Sequence, residues 1–298
     1  MFNTEICFST FIYIIIFILM IIAVCIRIIF KWNHQDRNYH LKFLAILLSG
    51  LVYNIVEGLL PDKNFEINLV SQNIFAWIVG LAVAFHYFVF IKNEYNLTFK
   101  GKLSLQLIGI FTLLSFIILF ILPYTITGSL ETSRTYFLGF FLALLSFAAI
   151  LVIHKQYIKI INRKNILFKI YDFNGILAFL ALLSLPVTIL IFGDNQWIEQ
   201  TFFSLGFFVL TVDHFFYGLR RKEMKKNISF ETLTIRETQI LNILLKDPNL
   251  KYAELSKALN ISEGALSSHL SNIYKKLGIK SKDEIRKISE SYKNTMDV

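Results

Sequence analysis

Seven apolar stretches, each long enough to cross a bilayer as a helix, follow one another between residues 6 and 217. They fall near 6–30, 43–60, 68–91, 103–122, 135–154, 174–192 and 198–217. A helix rises ~1.5 Å per residue, so about 20 residues cover the ~30 Å hydrocarbon core. Within that core every backbone N–H and C=O must be satisfied by the protein itself, which confines such a chain to a helical bundle. Short polar turns, among them Pro61-Asp62-Lys63-Asn64 and Gly193-Asp194-Asn195-Gln196, separate the stretches. The composition agrees: 55% of residues are hydrophobic and 30 are Phe, beyond the roughly half-apolar average of soluble domains.

The charges give the bundle a direction. Arg27, Lys31, Arg37, Lys42, Lys92, Lys100, Lys102, Lys155, Lys159, Arg163, Lys164 and Lys169 flank one side, against Lys63 and Arg134 on the other. Basic residues are retained on the cytoplasmic side, so the pattern predicts a multi-pass inner-membrane protein with its N-terminus outside and its C-terminus in the cytoplasm. The first stretch lacks a basic leader and runs on to Phe30, which reads as a retained spanning helix rather than a cleaved signal. Cys7 and Cys25 lie 18 residues apart on that helix, ~27 Å along its axis, and cannot bond to each other.

Polar side chains inside spanning helices are costly and are therefore candidate functional residues. Asn54, Glu57, Gln72, Asn73 and Trp77 fall at similar depth, with Tyr53, Trp197, Glu199 and Gln200, and form a candidate signal pocket open to the outside. Interhelical hydrogen bonding and interfacial aromatics are the plainer account of the same residues. Nearer the basic side, His86, His154, Asp213 and His214 have metal-binding or proton-relaying side chains, but their spacing matches no metal motif, and no metal site or cofactor is predicted.

After Tyr217 the chain turns polar at Arg220-Arg221-Lys222-Glu223-Met224-Lys225-Lys226. Residues 220–298 carry 16 Lys and Arg against 10 Asp and Glu, so most of the net charge of +9 resides here. This divides the chain into a membrane domain at 1–217, a basic juxtamembrane linker at 218–232 that suits anionic headgroups, and a small helical domain at 233–292. Thr234 and Glu237 fit a capping box, and Ile240, Leu241 and Leu244 make one stripe. A second helix begins near Tyr252 and carries Leu255 and Leu259. Ser262 caps a third that carries Leu266, Leu270, Ile273 and Leu277 and closes at Gly278. A fourth opens at Ser281-Lys282-Asp283-Glu284 and carries Ile285 and Ile288. Two helices joined by a tight turn, the second with a polar outer side, can place one helix in a DNA major groove, although a four-helix domain can also bind protein.

Leu233-Thr234-Ile235-Arg236-Glu237, Ala253-Glu254-Leu255-Ser256-Lys257-Ala258-Leu259, Ile261-Ser262-Glu263-Gly264-Ala265-Leu266 and His269-Leu270-Ser271-Asn272-Ile273-Tyr274-Lys275-Lys276-Leu277-Gly278-Ile279 resemble the LuxR (GerE-type) helix-turn-helix over about 230–292. The resemblance implies a recognition helix from Glu263 to about Lys276. It places Ser267, Ser268 and Ser271 at base-reading positions and Lys275, Lys276 and Lys280 at phosphates. It also implies homodimers through the last helix, from about Lys282 to Glu290. Members of the family often carry Lys, Thr or Val where this chain has three serines, and serine can hydrogen-bond several bases, which predicts lower selectivity.

The predicted fold is thus all-α: a polytopic bundle of about seven transmembrane helices with a C-terminal four-helix LuxR-type domain. No phosphate-cradling loop, nucleophile elbow or kinase motif is present, which argues against an enzyme. The leading expectation is a membrane-bound one-component transcription regulator, with double-stranded DNA, membrane lipid and a small-molecule or membrane signal as partners. A membrane enzyme or transporter using Glu57, His86, Asp213 and His214, and a scaffold whose tail binds protein, are the alternatives.

Overall fold

A computed structural model describes residues 7–30, 37–97, 104–163, 165–193, 195–227, 233–277, 279 and 281–286. The described chain is all-helical and divides into two compact units, Met1–Phe215 and Phe216–Val298.

Seven helices are long and apolar enough to span a membrane. They are α1 (Phe8–Phe30), α2 (Arg37–Leu59), α3 (Leu69–Glu94), α4 (Leu105–Thr127), α5 (Leu130–Asn162), α6 (Ile166–Phe192) and α7, which begins at Gln196 and ends at Asn227. Asn68, Ser104, Ser129 and Asn165 each cap a helix by accepting a backbone N–H through the side chain. Within α4 a π-helical turn at Ile117–Ile121 precedes Pro123, which cannot donate to the ladder.

The apolar stretches mark the helices but not their ends. α2 starts at Arg37 rather than near 43, α5 extends over Leu130–Asn162 and α6 starts at Ile166 rather than near 174. The expected linker is also mostly helix, because α7 continues through the basic run to Asn227. Hydropathy falls where charged residues begin, yet Lys, Arg and Glu are good helix formers, so the hydrogen-bond ladder runs past that point. Lys31, Lys100, Lys102 and Lys164 of the basic flank lie outside the described residues.

The bundle closes on an aromatic core. Gly50 lets α2 approach so closely that a Cβ there would sit 2.4 Å from Phe17 Cε1 and 2.8 Å from Phe207 Cε1. At Gly206 a Cβ would lie 2.4 Å from the Tyr87 hydroxyl, the kind of small-residue contact by which helices pack in lipid. Phe17, Phe43, Tyr87, Phe179, Phe203 and Phe207 fill this centre. A second cluster, of Phe116, Phe120, Tyr124, Phe137 and Leu138, joins α4 to α5 and receives Trp77 from α3. The outer faces carry exposed Ile15, Leu19, Ile22, Ile26, Ile110, Leu114, Phe147 and Ile150, an apolar band far larger than a water-soluble surface tolerates.

The second unit contains α8 (Ile235–Lys246), α9 (Tyr252–Leu259) and α10 (Glu263–Leu277), and residues 282–286 are helical. Gly278, the predicted cap, and the rest of the expected fourth helix lie outside the described residues. Ile240, Leu241, Leu244, Leu255, Leu266, Leu270, Ile273 and Ile285 form its own core.

Candidate nucleic-acid interface

The turn that sets α10 against α9 is built from two residues. Asn260 ends α9 in the left-handed region at φ 55°, a conformation Asn tolerates better than most side chains. Ser262 Oγ then accepts the Ala265 N–H at 3.2 Å and starts α10. Leu266, Leu270 and Ile273 point inward at helical spacing, so the opposite side of α10 faces outward. Ser267, Ser268, Ser271, Asn272 and Lys275 are exposed there. At ~100° per residue these five occupy one continuous polar stripe centred roughly opposite Ile273. Ser268 donates its hydroxyl proton to the Gly264 carbonyl at 3.1 Å, which leaves its oxygen able to accept. Asn272 was not singled out from the sequence; its position one turn beyond Ser268 was the available signal.

Lys276 stands at the edge of this stripe and is engaged. Its Nζ donates to Glu237 Oε2 at 2.8 Å, tying α10 to the start of α8. The same Glu237 closes the capping box, accepting the Thr234 N–H at 2.7 Å while Thr234 Oγ1 accepts the Glu237 N–H at 3.3 Å. The Lys276 hydrogen bond, followed by that of the Thr234 backbone, holds the Glu237 carboxyl below its usual range. Lys280 lies outside the described residues.

Further bonds brace the helix. Arg236 donates to the Leu259 carbonyl at the end of α9 and to Gln239 Oε1 at 3.0 Å. The hydroxyls of Tyr252 and Tyr274 lie 3.1 Å apart, and burial, helped by this bond, pushes the Tyr274 hydroxyl's pKa up. Lys282 donates to the Leu250 carbonyl at 2.6 Å and sits 4.9 Å from the centre of the Tyr252 ring.

In the membrane bundle the expected pocket residues separate into two groups. Asn54 Nδ2 donates to the Gly50 carbonyl of its own helix at 2.9 Å, the Glu57 backbone carbonyl accepts from Gln196 Nε2 of α7 at 2.9 Å, and the Glu57 carboxyl lies beside Gly80 of α3. Gln72 staples the α2–α3 connection, exchanging bonds with the Asp62 backbone and donating to the Ile67 carbonyl. Asn73 donates to the Tyr124 hydroxyl at 2.9 Å, and Trp77 packs on Phe120 with ring centres 4.5 Å apart. Trp197 is exposed.

The histidines and Asp213 are likewise dispersed. Asp213 accepts from Tyr95 at 2.5 Å and from Asn174 at 2.8 Å. The ring nitrogens His40 Nδ1 and His214 Nε2 are 3.2 Å apart, His86 lies beside Ser49 Oγ at 3.2 Å, and His154 is exposed. Among the described residues no three His, Cys, Asp or Glu side chains are grouped to hold a metal ion.

Residues 231–288 match the family model of bacterial regulatory proteins of the LuxR family, named GerE. No curated protein and no solved structure matches the chain. The chain therefore carries a LuxR-family helix-turn-helix domain, preceded by seven helices long and apolar enough to span a membrane.

Proposed function

We propose that the LuxR-family domain at 231–288 makes this chain a membrane-anchored transcription regulator, which senses a signal in its seven-helix bundle and binds DNA through α10. The observation that carries the reading is the outward stripe of α10, whose exposed side chains are polar or basic inside a family-matched domain. Ser267, Ser268, Ser271 and Asn272 meet base edges in the major groove. Serine hydroxyls serve several bases, whereas an asparagine amide reads adenine bidentately. Lys275 and Lys280 meet phosphates. Lys276 contributes its charge to the field, but its bond to Glu237 makes it first a brace for α10.

One such module buries little DNA surface, so pairing through the last helix, 282–290, and binding of a near-palindromic site follow from the affinity needed. The basic flank of the bundle, with Arg27, Arg37, Lys92, Lys155 and Arg163, supports an N-out, C-in orientation in the inner membrane. Between Asn227 and Thr234 the chain spans at most ~25 Å when fully extended, so DNA is held close to the bilayer.

The test is a titration of fragment 229–298 against genomic DNA fragments at two salt concentrations. Tight binding to a subset, with Ser267→Ala, Ser268→Ala and Asn272→Ala changing the preferred sites, supports the reading. Uniform or absent binding, even by an enforced dimer, overturns it.

A further inference from the structure

A three-helix seam lies among α1, α2 and α7. At its base Phe17, Gly50 and Phe207 meet, the two rings 5.1 Å apart between centres. Two helical turns before Phe17 and Phe207 come Thr10 and Gln200, and one turn beyond Gly50, on the antiparallel α2, comes Asn54. At this level Thr10 Oγ1 donates to Gln200 Oε1 at 2.8 Å, joining α1 to α7.

Asn54 is 1% exposed and Gln200 is not exposed at all. With Asn54 Nδ2 given to Gly50 and Gln200 Oε1 to Thr10, the acceptor Asn54 Oδ1 and the donor Gln200 Nε2 have no hydrogen-bond partner. A buried polar atom without a partner is destabilising, which is why such atoms are uncommon in folded proteins. Here one acceptor and one donor are left on facing helices of the same seam. Above them Tyr53 donates its hydroxyl proton to Glu199.

We infer that this seam is the signal site, and that it takes a small uncharged group able to donate and accept at once, an amide or a hydroxyl. The donor of the ligand meets Asn54 Oδ1 and its acceptor meets Gln200 Nε2; a carboxylate only accepts and would leave Asn54 Oδ1 without a donor. The inference rests on the regulator reading for what occupancy does, since α7 carries Gln200 and continues through the basic run to Asn227, but not for whether the seam binds.

The experiment uses the full chain in neutral-lipid nanodiscs, with butanamide and butanoate as matched probes followed by saturation-transfer NMR. Wild type is expected to bind butanamide saturably and butanoate at least tenfold more weakly. Asn54→Leu and Gln200→Leu each remove an unpartnered polar atom at similar volume but also lose the bond to Gly50 or from Thr10, so both are expected to fold and melt near wild type while weakening butanamide at least tenfold. Gln72→Leu, outside the seam, retains binding. Equal butanamide uptake by wild type and both variants means lipid partitioning, with internal water at the two atoms, and overturns the site. Equal binding of butanoate overturns the ligand class. Saturable binding by a chain whose tail ignores DNA supports the site and removes the regulator reading instead.

Discussion

Replacing Lys276 by alanine separates bracing from phosphate contact. The Lys276 ammonium donates to a Glu237 carboxylate whose side chain is 3% exposed, while the Lys276 side chain keeps 35% exposure. A hydrogen bond to a charged group contributes ~1.5–3 kcal/mol, and partial hydration of the lysine places the loss toward the lower end, ~1–2 kcal/mol. In a domain of this size that lowers the thermal midpoint by on the order of 5–10 °C. Lys275→Ala, on the exposed stripe, is expected to leave the midpoint within about 0.5 kcal/mol of wild type and to lower the salt slope of DNA binding by ~0.9 for one lost phosphate contact. The pair also has a pH signature. Glu237 is held below its usual value, so its contribution is complete above the unfolded carboxyl's pKa of ~4.3 and is lost as pH falls through the lower folded value. Melting of fragment 229–298 followed by circular dichroism should thus show wild type and Lys276→Ala converging in acid and separating at neutral pH. If Lys276→Ala melts with wild type at neutral pH and lowers the salt slope as Lys275→Ala does, the brace assignment is wrong.

Ile273→Ala, at a fully buried core position of α10, is expected to cost ~2–5 kcal/mol and to leave fragment 229–298 largely unfolded by circular dichroism, with DNA binding lost at every site. Asn272→Ala should change base preference at one position by ~1–3 kcal/mol, read by selection from a randomised site, while leaving non-specific affinity near wild type. Gly50→Ala places a Cβ against Phe17 and Phe207 and should lower the melting midpoint of the full chain in detergent, whereas Gly139→Ala, which meets open space, should not. A cysteine placed after Val298 in a chain lacking Cys7 and Cys25 should be alkylated by an impermeant reagent in inverted vesicles and protected in intact cells; the reverse pattern refutes the orientation.

The spanning helices were legible because each must hide its own backbone from lipid, which demands an unbroken apolar run that composition alone reveals. Their ends were not, since Tyr39, His40 and Asp172 lie in polar helix extensions where buried partners, rather than hydropathy, sustain the helix. The outward positions of α10 could be counted from Leu266, Leu270 and Ile273, but the Lys276–Glu237 bond joins residues 39 apart and depends on how α8 packs on α10. Depth in the membrane grouped Asn54 and Glu57 with Gln72, Asn73 and Trp77. Depth carries no information about which partner a side chain meets, so the bonds of Gln72 to the α2–α3 connection and of Asn73 to Tyr124 were not legible.

α7 shows why a less apolar span belongs at the centre. Half of its most apolar stretch is buried, against 17% for that of α1. A helix surrounded by hydrocarbon must be apolar all round, whereas one surrounded by protein can carry polar groups if its neighbours satisfy them. The neighbours do so from four sides. Thr10 and Tyr13 of α1 bond Gln200 and Thr201, and Tyr53 of α2 bonds Glu199. Tyr95, just after α3, and Asn174 of α6 bond Asp213. Between these polar levels the contacts are packed rings, Phe203 and Phe207 against Tyr87 and Phe17. Hydrogen bonds of fixed geometry at both levels resist small sliding of α7 and leave discrete re-pairing as the movement open to it. On the reading proposed above, a signal that completes the bonds of Asn54 and Gln200 acts on one end of this helix, whose other end continues into Arg220 and Lys226. The coupling then equals the difference in ligand affinity between the two pairings, and a ligand that binds both equally moves nothing.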